Sequence, residues 1–211
     1  MQPNWGTNGW IIFNSNSFIK SNGDSLKVLN FITGYSVVWS PDCKQIAFLG
    51  GHEPDIYRTI CIINIDGTGL RILDSVIGMD GYFAWSPDGA KIAYGVGTGN
   101  PTLSIIDINT LQVQNYPNVI TPAYWFPDSK RLLYTAGGAL LIFNTETSQI
   151  TTIRPVCQKE IYYSGLISSD GNTVIAEKNI TTISGNSENV STRLVKMNAD
   201  GGDETDITPP N

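Results

Sequence analysis

The chain's one histidine, His52, is followed directly by Glu53. An imidazole beside a carboxylate is the smallest set that could pass a proton as acid and base. The other parts of such chemistry are missing. No Gly-x-Ser-x-Gly elbow presents a nucleophile, and no second histidine stands at metal-ligand spacing. No catalytic residue, no metal and no cofactor is therefore assigned, and a lone loop histidine reads as a solvated side chain. Cys43, Cys61 and Cys157 are odd in number and far apart, which suits isolated thiols rather than a disulfide framework or a metal cluster. Asp200-Gly201-Gly202-Asp203 carries carboxylates without the regular oxygen spacing of an EF-hand calcium loop.

What the chain does carry is side chains suited to recognition. His52, Glu53, Tyr57 and Arg58 fall in one irregular stretch (50–58), Asp80 and Tyr82 in a second (78–82), Tyr124 at the end of a third (116–124), and Lys159 and Tyr163 in a fourth (157–163). Tyr and Arg are common anchors in interfaces. These nine are the candidate binding residues, and they form a site only if a scaffold gathers their stretches at one place.

The scaffold is legible in residues 83–94, Phe-Ala-Trp-Ser-Pro-Asp-Gly-Ala-Lys-Ile-Ala-Tyr. Ser-Pro-Asp-Gly is what a type I turn asks for: a side-chain acceptor, a proline with its φ preset, and a glycine where a positive φ is needed. Short β-prone runs flank it, so the stretch predicts a hairpin. Variants recur around Trp39, Trp125 and Ile167, with a degenerate copy at Trp5, giving spacings of 34, 46, 40 and 42 from Trp5 onward. Each copy continues into a third strand, a polar turn and a fourth strand.

Repeats of about 40–45 residues with four strands each are the sign of a β-propeller. The expected fold is all-β, a five-bladed β-propeller of four-stranded antiparallel blades. One domain over residues 1–211 is expected, with repeats at about 1–34, 35–80, 81–121, 122–163 and 164–211. The recurrent Trp is expected to pack between blades, and Asp42, Asp88, Asp128 and Asp170 to stabilise turns. In such blades the Ser-Pro-Asp-Gly turns emerge at one mouth. The nine candidates emerge at the other, where loops vary and binding usually sits. Residues 177–191 read as a long polar loop facing solvent. The two glycosylation sequons, at Asn179 and Asn189, are a pattern common by chance.

Composition narrows the function further. A net charge of −6, from 13 Lys and Arg against 19 Asp and Glu, argues against nucleic acid. There is no apolar run long enough to span a membrane as a helix, and no signal peptide opens the chain.

The Trp-Ser-Pro-Asp-Gly signature followed by Ile-Ala-Phe/Tyr, at residues 39–48 and 85–94 and more loosely at 125–134, resembles the TolB-type WD40-like (PD40) propeller repeat. That repeat is found in periplasmic TolB and in the propeller domains of prolyl oligopeptidase-type and tricorn-like proteases. The resemblance implies a periplasmic or extracellular scaffold that holds a protein or small ligand at one mouth. The expected function is thus non-catalytic binding of a protein or peptide partner. The alternatives are the propeller of a larger hydrolase or peptidase, or a propeller that binds a small ligand or glycan in its channel.

Overall fold

The structure is a computed structural model and describes residues 4–13, 17–28, 35–50, 57–77, 79–97, 102–120, 122–157, 159–184 and 187–210. Every regular element among these residues is a strand. The first sheet holds β1 (Asn4–Trp5), β2 (Trp10–Phe13), β3 (Ser17–Lys20) and β4 (Lys27–Val28). The second holds β5 (Tyr35–Trp39), β6 (Gln45–Gly50), β7 (Tyr57–Asn64) and β8 (Arg71–Ile77). The third holds β9 (Met79–Trp85), β10 (Lys91–Val96), β11 (Thr102–Asp107) and β12 (Val113–Ile120). The fourth holds β13 (Ala123–Trp125), β14 (Arg131–Ala136), β15 (Ala139–Asn144) and β16 (Ile150–Arg154). The fifth holds β17 (Glu160–Ile167), β18 (Thr173–Ser184), β19 (Ser187–Asn198) and β20 (Thr205–Asp206).

Within each sheet the spatial order of strands is the order in sequence. The protein is an all-β, five-bladed propeller of four-stranded antiparallel blades, as the repeats predict. The chain divides into two compact units, Met1–Pro117 and Asn118–Asn211.

In the first unit, neighbouring strand residues serve different cores because side chains alternate across a sheet. From β6, Ile46 and Phe48 join Ile12, Phe18 and Trp39 against the first blade, while Ala47 and Leu49 join Trp85, Ile92 and Tyr94 against the third. Strands buried on both faces read as continuous apolar runs, and β6, β10 and β11 do so. Trp39 meets Phe18 edge-to-face at 5.9 Å and 77°, so the recurrent tryptophan packs between blades, as expected. Burying each such side chain contributes about 1.5–3 kcal/mol.

The second unit repeats this arrangement: Leu140 and Ile142 from the fourth blade pack with Tyr162, Val174, Val195 and Met197 from the fifth. Gly165 makes the approach feasible, since a Cβ there would stand 2.9 Å from Leu140 and 3.1 Å from Leu133.

The repeat turns form as their chemistry requires. The Cys43 amide bonds the Ser40 carbonyl at 2.9 Å, and the Ser40 hydroxyl donates to Asp42 at 2.7 Å. The amides of Lys44, Ala90, Lys130 and Asn172 donate to Asp42, Asp88, Asp128 and Asp170. Gly89 and Gly171 take φ of 73° and 74°, and Cys43 and Ser129 take the same left-handed conformation at 54° and 57°. In the fourth blade Phe126 replaces the turn serine. Its ring is buried, and the Arg131 guanidinium lies over it at 4.4 Å while Nε pairs with Asp128 at 2.6 Å.

The expected polar loop at 177–191 is instead a hairpin. β18 and β19 pair without interruption from Thr173↔Asn198 to Ser184↔Ser187, while β17 reaches only Ile180. Residues beyond 180 thus form a two-stranded arm, favoured by the β-branched run Thr181, Thr182 and Ile183 and by Val190 opposite it. Strands also run further than expected elsewhere: β8 ends at Ile77 and β9 begins at Met79, and β12 ends at Ile120.

Candidate functional site

Because the strands run long, the described candidate residues sit on or directly beside strands rather than in extended loops. His52 and Glu53 lie outside the described residues. In the first unit Tyr57 and Arg58 open β7, paired with Ile77 and Val76, while Asp80 and Tyr82 lie on β9. Arg58 and Tyr82 are half-buried, and the Tyr82 hydroxyl is buried. In the second unit Tyr124 lies on β13, Lys159 immediately precedes β17, and Tyr163 sits on β17. Tyr57 and Lys159 thus stand where their strands begin, remote from the repeat turns, whereas Tyr124 pairs with Leu133 in mid-sheet.

A β-bulge between Tyr162 and Ser164 turns Tyr163 outward, leaving it 54% exposed. Bulges re-aim side chains in this way. The bulge is held in place: the Tyr162 amide donates to the Gly138 carbonyl at 2.8 Å, and the Thr135 hydroxyl donates to the Tyr163 carbonyl at 3.1 Å. Gly138 is required there, with φ of 87° and a would-be Cβ 2.7 Å from Ile161. Immediately before β17, Lys159 is exposed and its carbonyl accepts the Thr181 amide at 2.7 Å, which ties the base of the arm to the candidate segment. Further along the arm Ile183 and Val190 are 70% and 59% exposed.

Beneath this surface lies a charged cluster that the sequence did not reveal. Lys178, buried, pairs with Glu204 and, at 3.2 Å, with Glu160. Glu204 also accepts from the Tyr162 hydroxyl at 2.6 Å and pairs with Arg154 at 3.1 Å. Burial would lower the Lys178 ammonium, but hydrogen bonds to Glu204 and Glu160 outweigh it and raise its pKa. Burial would raise the Glu204 carboxyl, but Lys178 and Tyr162 hold it below the usual range. Burial and Glu204 push the Tyr162 hydroxyl up. All three move away from neutrality, whereas a general acid or base works best near it. The cluster anchors β20 to β16, β17 and β18.

The turn carboxylates are likewise committed: Asp42 and Asp170 are held below the ordinary range first by the Ser40 and Ser168 hydroxyls. Cys43 and Cys61 are buried thiols and Cys157 an exposed one. Among the described residues no group of three His, Cys, Asp or Glu side chains is arranged to hold a metal, and no helix is long and apolar enough to cross a membrane. A groove of 660 Å³ in the second unit opens at the turn end between the fourth and fifth blades.

No family model matches the chain, and no curated protein matches it. Solved structures do. TolB from Acinetobacter baumannii superposes with a TM-score of 0.64 at 20% identity, over 95% of this chain and 49% of TolB. The fold is that of a TolB-like β-propeller. Oligogalacturonate lyase from Vibrio parahaemolyticus gives 0.69 at 12% identity over 94% of this chain and 61% of that one. Puromycin hydrolase gives 0.70 at 14% identity over 98% and 37%. This TolB-like chain spans about half the length of the TolB it matches. The same propeller therefore occurs in TolB and in proteins named as a lyase and a hydrolase, and the fold alone does not choose a function among them.

Proposed function

We propose that this TolB-like propeller is a non-catalytic scaffold that binds a protein or peptide partner at the sheet ends opposite its repeat turns. The observation that carries the reading is in the second unit: Tyr163 stands exposed on a fixed bulge of β17, and Lys159, which precedes that strand, is bonded to the base of the arm that bears exposed Ile183 and Val190. Exposed aromatic and aliphatic groups on rigid strands lose little entropy on binding and mark interaction sites. In the second unit Tyr124 lies on β13; the first unit carries candidates of its own, Tyr57 and Arg58 on β7 and Asp80 and Tyr82 on β9. By likeness to TolB, the reading places the protein in the periplasm or outside the cell.

The test is capture of a partner from an extract by the wild type and by Lys159→Ala/Tyr163→Ala/Ile183→Ser. The variant should lose the captured protein at an unchanged melting temperature; equal capture would reject the reading. A second reading, the propeller portion of a larger hydrolase or peptidase, is favoured by the 37% of puromycin hydrolase that the chain covers. A hydrolytic activity lost in His52→Ala would turn the choice toward it.

A further inference from the structure

We infer that the groove between the fourth and fifth blades takes the guanidinium or ammonium group of a basic peptide segment, which donates to the Ala199 carbonyl beside Asp200.

The inference rests on equivalence between blades. Pairing of the third and fourth strands sets Phe18 opposite Lys27, Ile62 opposite Arg71 and Ile142 opposite Thr151. The first residue of each blade's last turn is fixed in the same way: the amide of Ile65 bonds Lys44, that of Ile108 bonds Ala90, and that of Ala199 bonds Asn172, each to a carbonyl in its blade's repeat turn. In the first unit these two positions meet across neighbouring blades. Lys27 Nζ donates to the Ile65 carbonyl at 2.7 Å, and Arg71 Nη2 donates to the Ile108 carbonyl at 2.6 Å. From the first blade to the second, and from the second to the third, a cation thus seats on the neighbour's last turn.

In the second unit the cation is missing. Thr151 stands where Lys27 and Arg71 stand, and its side chain stops well short of the length of theirs. The space at Lys27 is 160 Å³, whereas the groove at Thr151 is 660 Å³. The groove keeps the rest of the seat. Ala199 and Asp200, counterparts of Ile65 and Asp66, form one wall with Asn172, and Ile142 and Ile153 supply aliphatic surface for a methylene stem. Arg131, the cation already lining the groove, is occupied by Asp128 and Phe126. A net charge of −6 further favours a basic ligand. The groove lies at the turn end of the sheets, so it is independent of the surface around Tyr163.

Binding is tested by NMR titration of the full chain with acetyl-Gly-Arg-Gly-amide, the same peptide carrying neutral citrulline in place of arginine, and spermidine. The arginine peptide should shift the amides of Asn172, Ala199 and Asp200. Citrulline should bind about tenfold more weakly, the loss of one charge-assisted hydrogen bond. Thr151→Arg, which supplies the missing cation from within, should abolish the shifts at an equal or higher melting temperature, while Thr151→Ser should keep them. Absence of shifts, equal binding of citrulline, or binding that survives Thr151→Arg would overturn the inference. Response to spermidine with none to the peptide would overturn the peptide source.

Discussion

The hydroxyl of Tyr162 donates to the Glu204 carboxylate at 2.6 Å, and through that bond the two-residue strand β20 is tied to β17. A strand so short has little ladder of its own, pairing only Val195↔Asp206 and Lys196↔Thr205. Tyr162→Phe should cost about 1.5–3 kcal/mol, the usual range for a hydrogen bond to a charged group. Glu204→Gln, which leaves buried Lys178 with Glu160 alone, should cost about 3–5 kcal/mol. Urea unfolding checks both, and effects under about 0.5 kcal/mol would show the cluster to be incidental.

The same cluster sets a pH dependence. The Glu204 carboxyl is depressed in the folded protein, so the folded state takes up that proton at lower pH than the unfolded chain does. Its contribution is full above the unfolded value of about 4.3 and is lost as pH falls through the lower folded value. Lys178, raised, contributes fully below the unfolded value of about 10.4 and loses that contribution only in stronger alkali. Urea midpoints across pH should fall on the acid side, and that limb should flatten in Glu204→Gln.

Gly201 gives a sharper steric prediction. Its φ is 89°, and an added Cβ would stand 2.3 Å from the Ile153 carbonyl oxygen. Gly201→Ala combines a disfavoured backbone conformation with a backbone clash and should destabilise by more than about 1 kcal/mol. Gly23→Ala, with φ of 86° and nothing within 4 Å, isolates the conformational part. Equal melting temperatures for the two would refute the close approach of the last turn to β16.

The thiols report burial directly. Cys43 accepts from the Thr7 amide at 3.2 Å and is buried with Cys61, whose pKa burial pushes up, whereas Cys157 is exposed. Titration with a thiol reagent should find one fast thiol in the native protein and all three after denaturation, because thiolate character and access control the rate. Three fast thiols would contradict the packing of the first and second blades.

The repeat hairpins were legible because Ser-Pro-Asp-Gly specifies its turn locally and the Trp anchors recur at regular intervals. The arm formed by β18 and β19 was hidden because its Asn, Thr and Ser residues look like a loop; the signal was the β-branched run from Ile180 to Ile183. The charged cluster could not be read, since Tyr162, Lys178 and Glu204 lie far apart in the chain and meet only through register. The groove could have been found by aligning Lys27, Arg71 and Thr151 across the repeats. The placement of Tyr163 depended on a bulge for which residues 160–167 carry no local mark.

The claim that the sheet end around Tyr163 is the binding surface is tested most directly by site-specific photo-crosslinking in cells. A photoreactive phenylalanine analogue at position 163 or 183 should trap the same partner, and one at the buried position 132 should trap none. Absence of an adduct from both 163 and 183, with the variants folded and expressed, would contradict it.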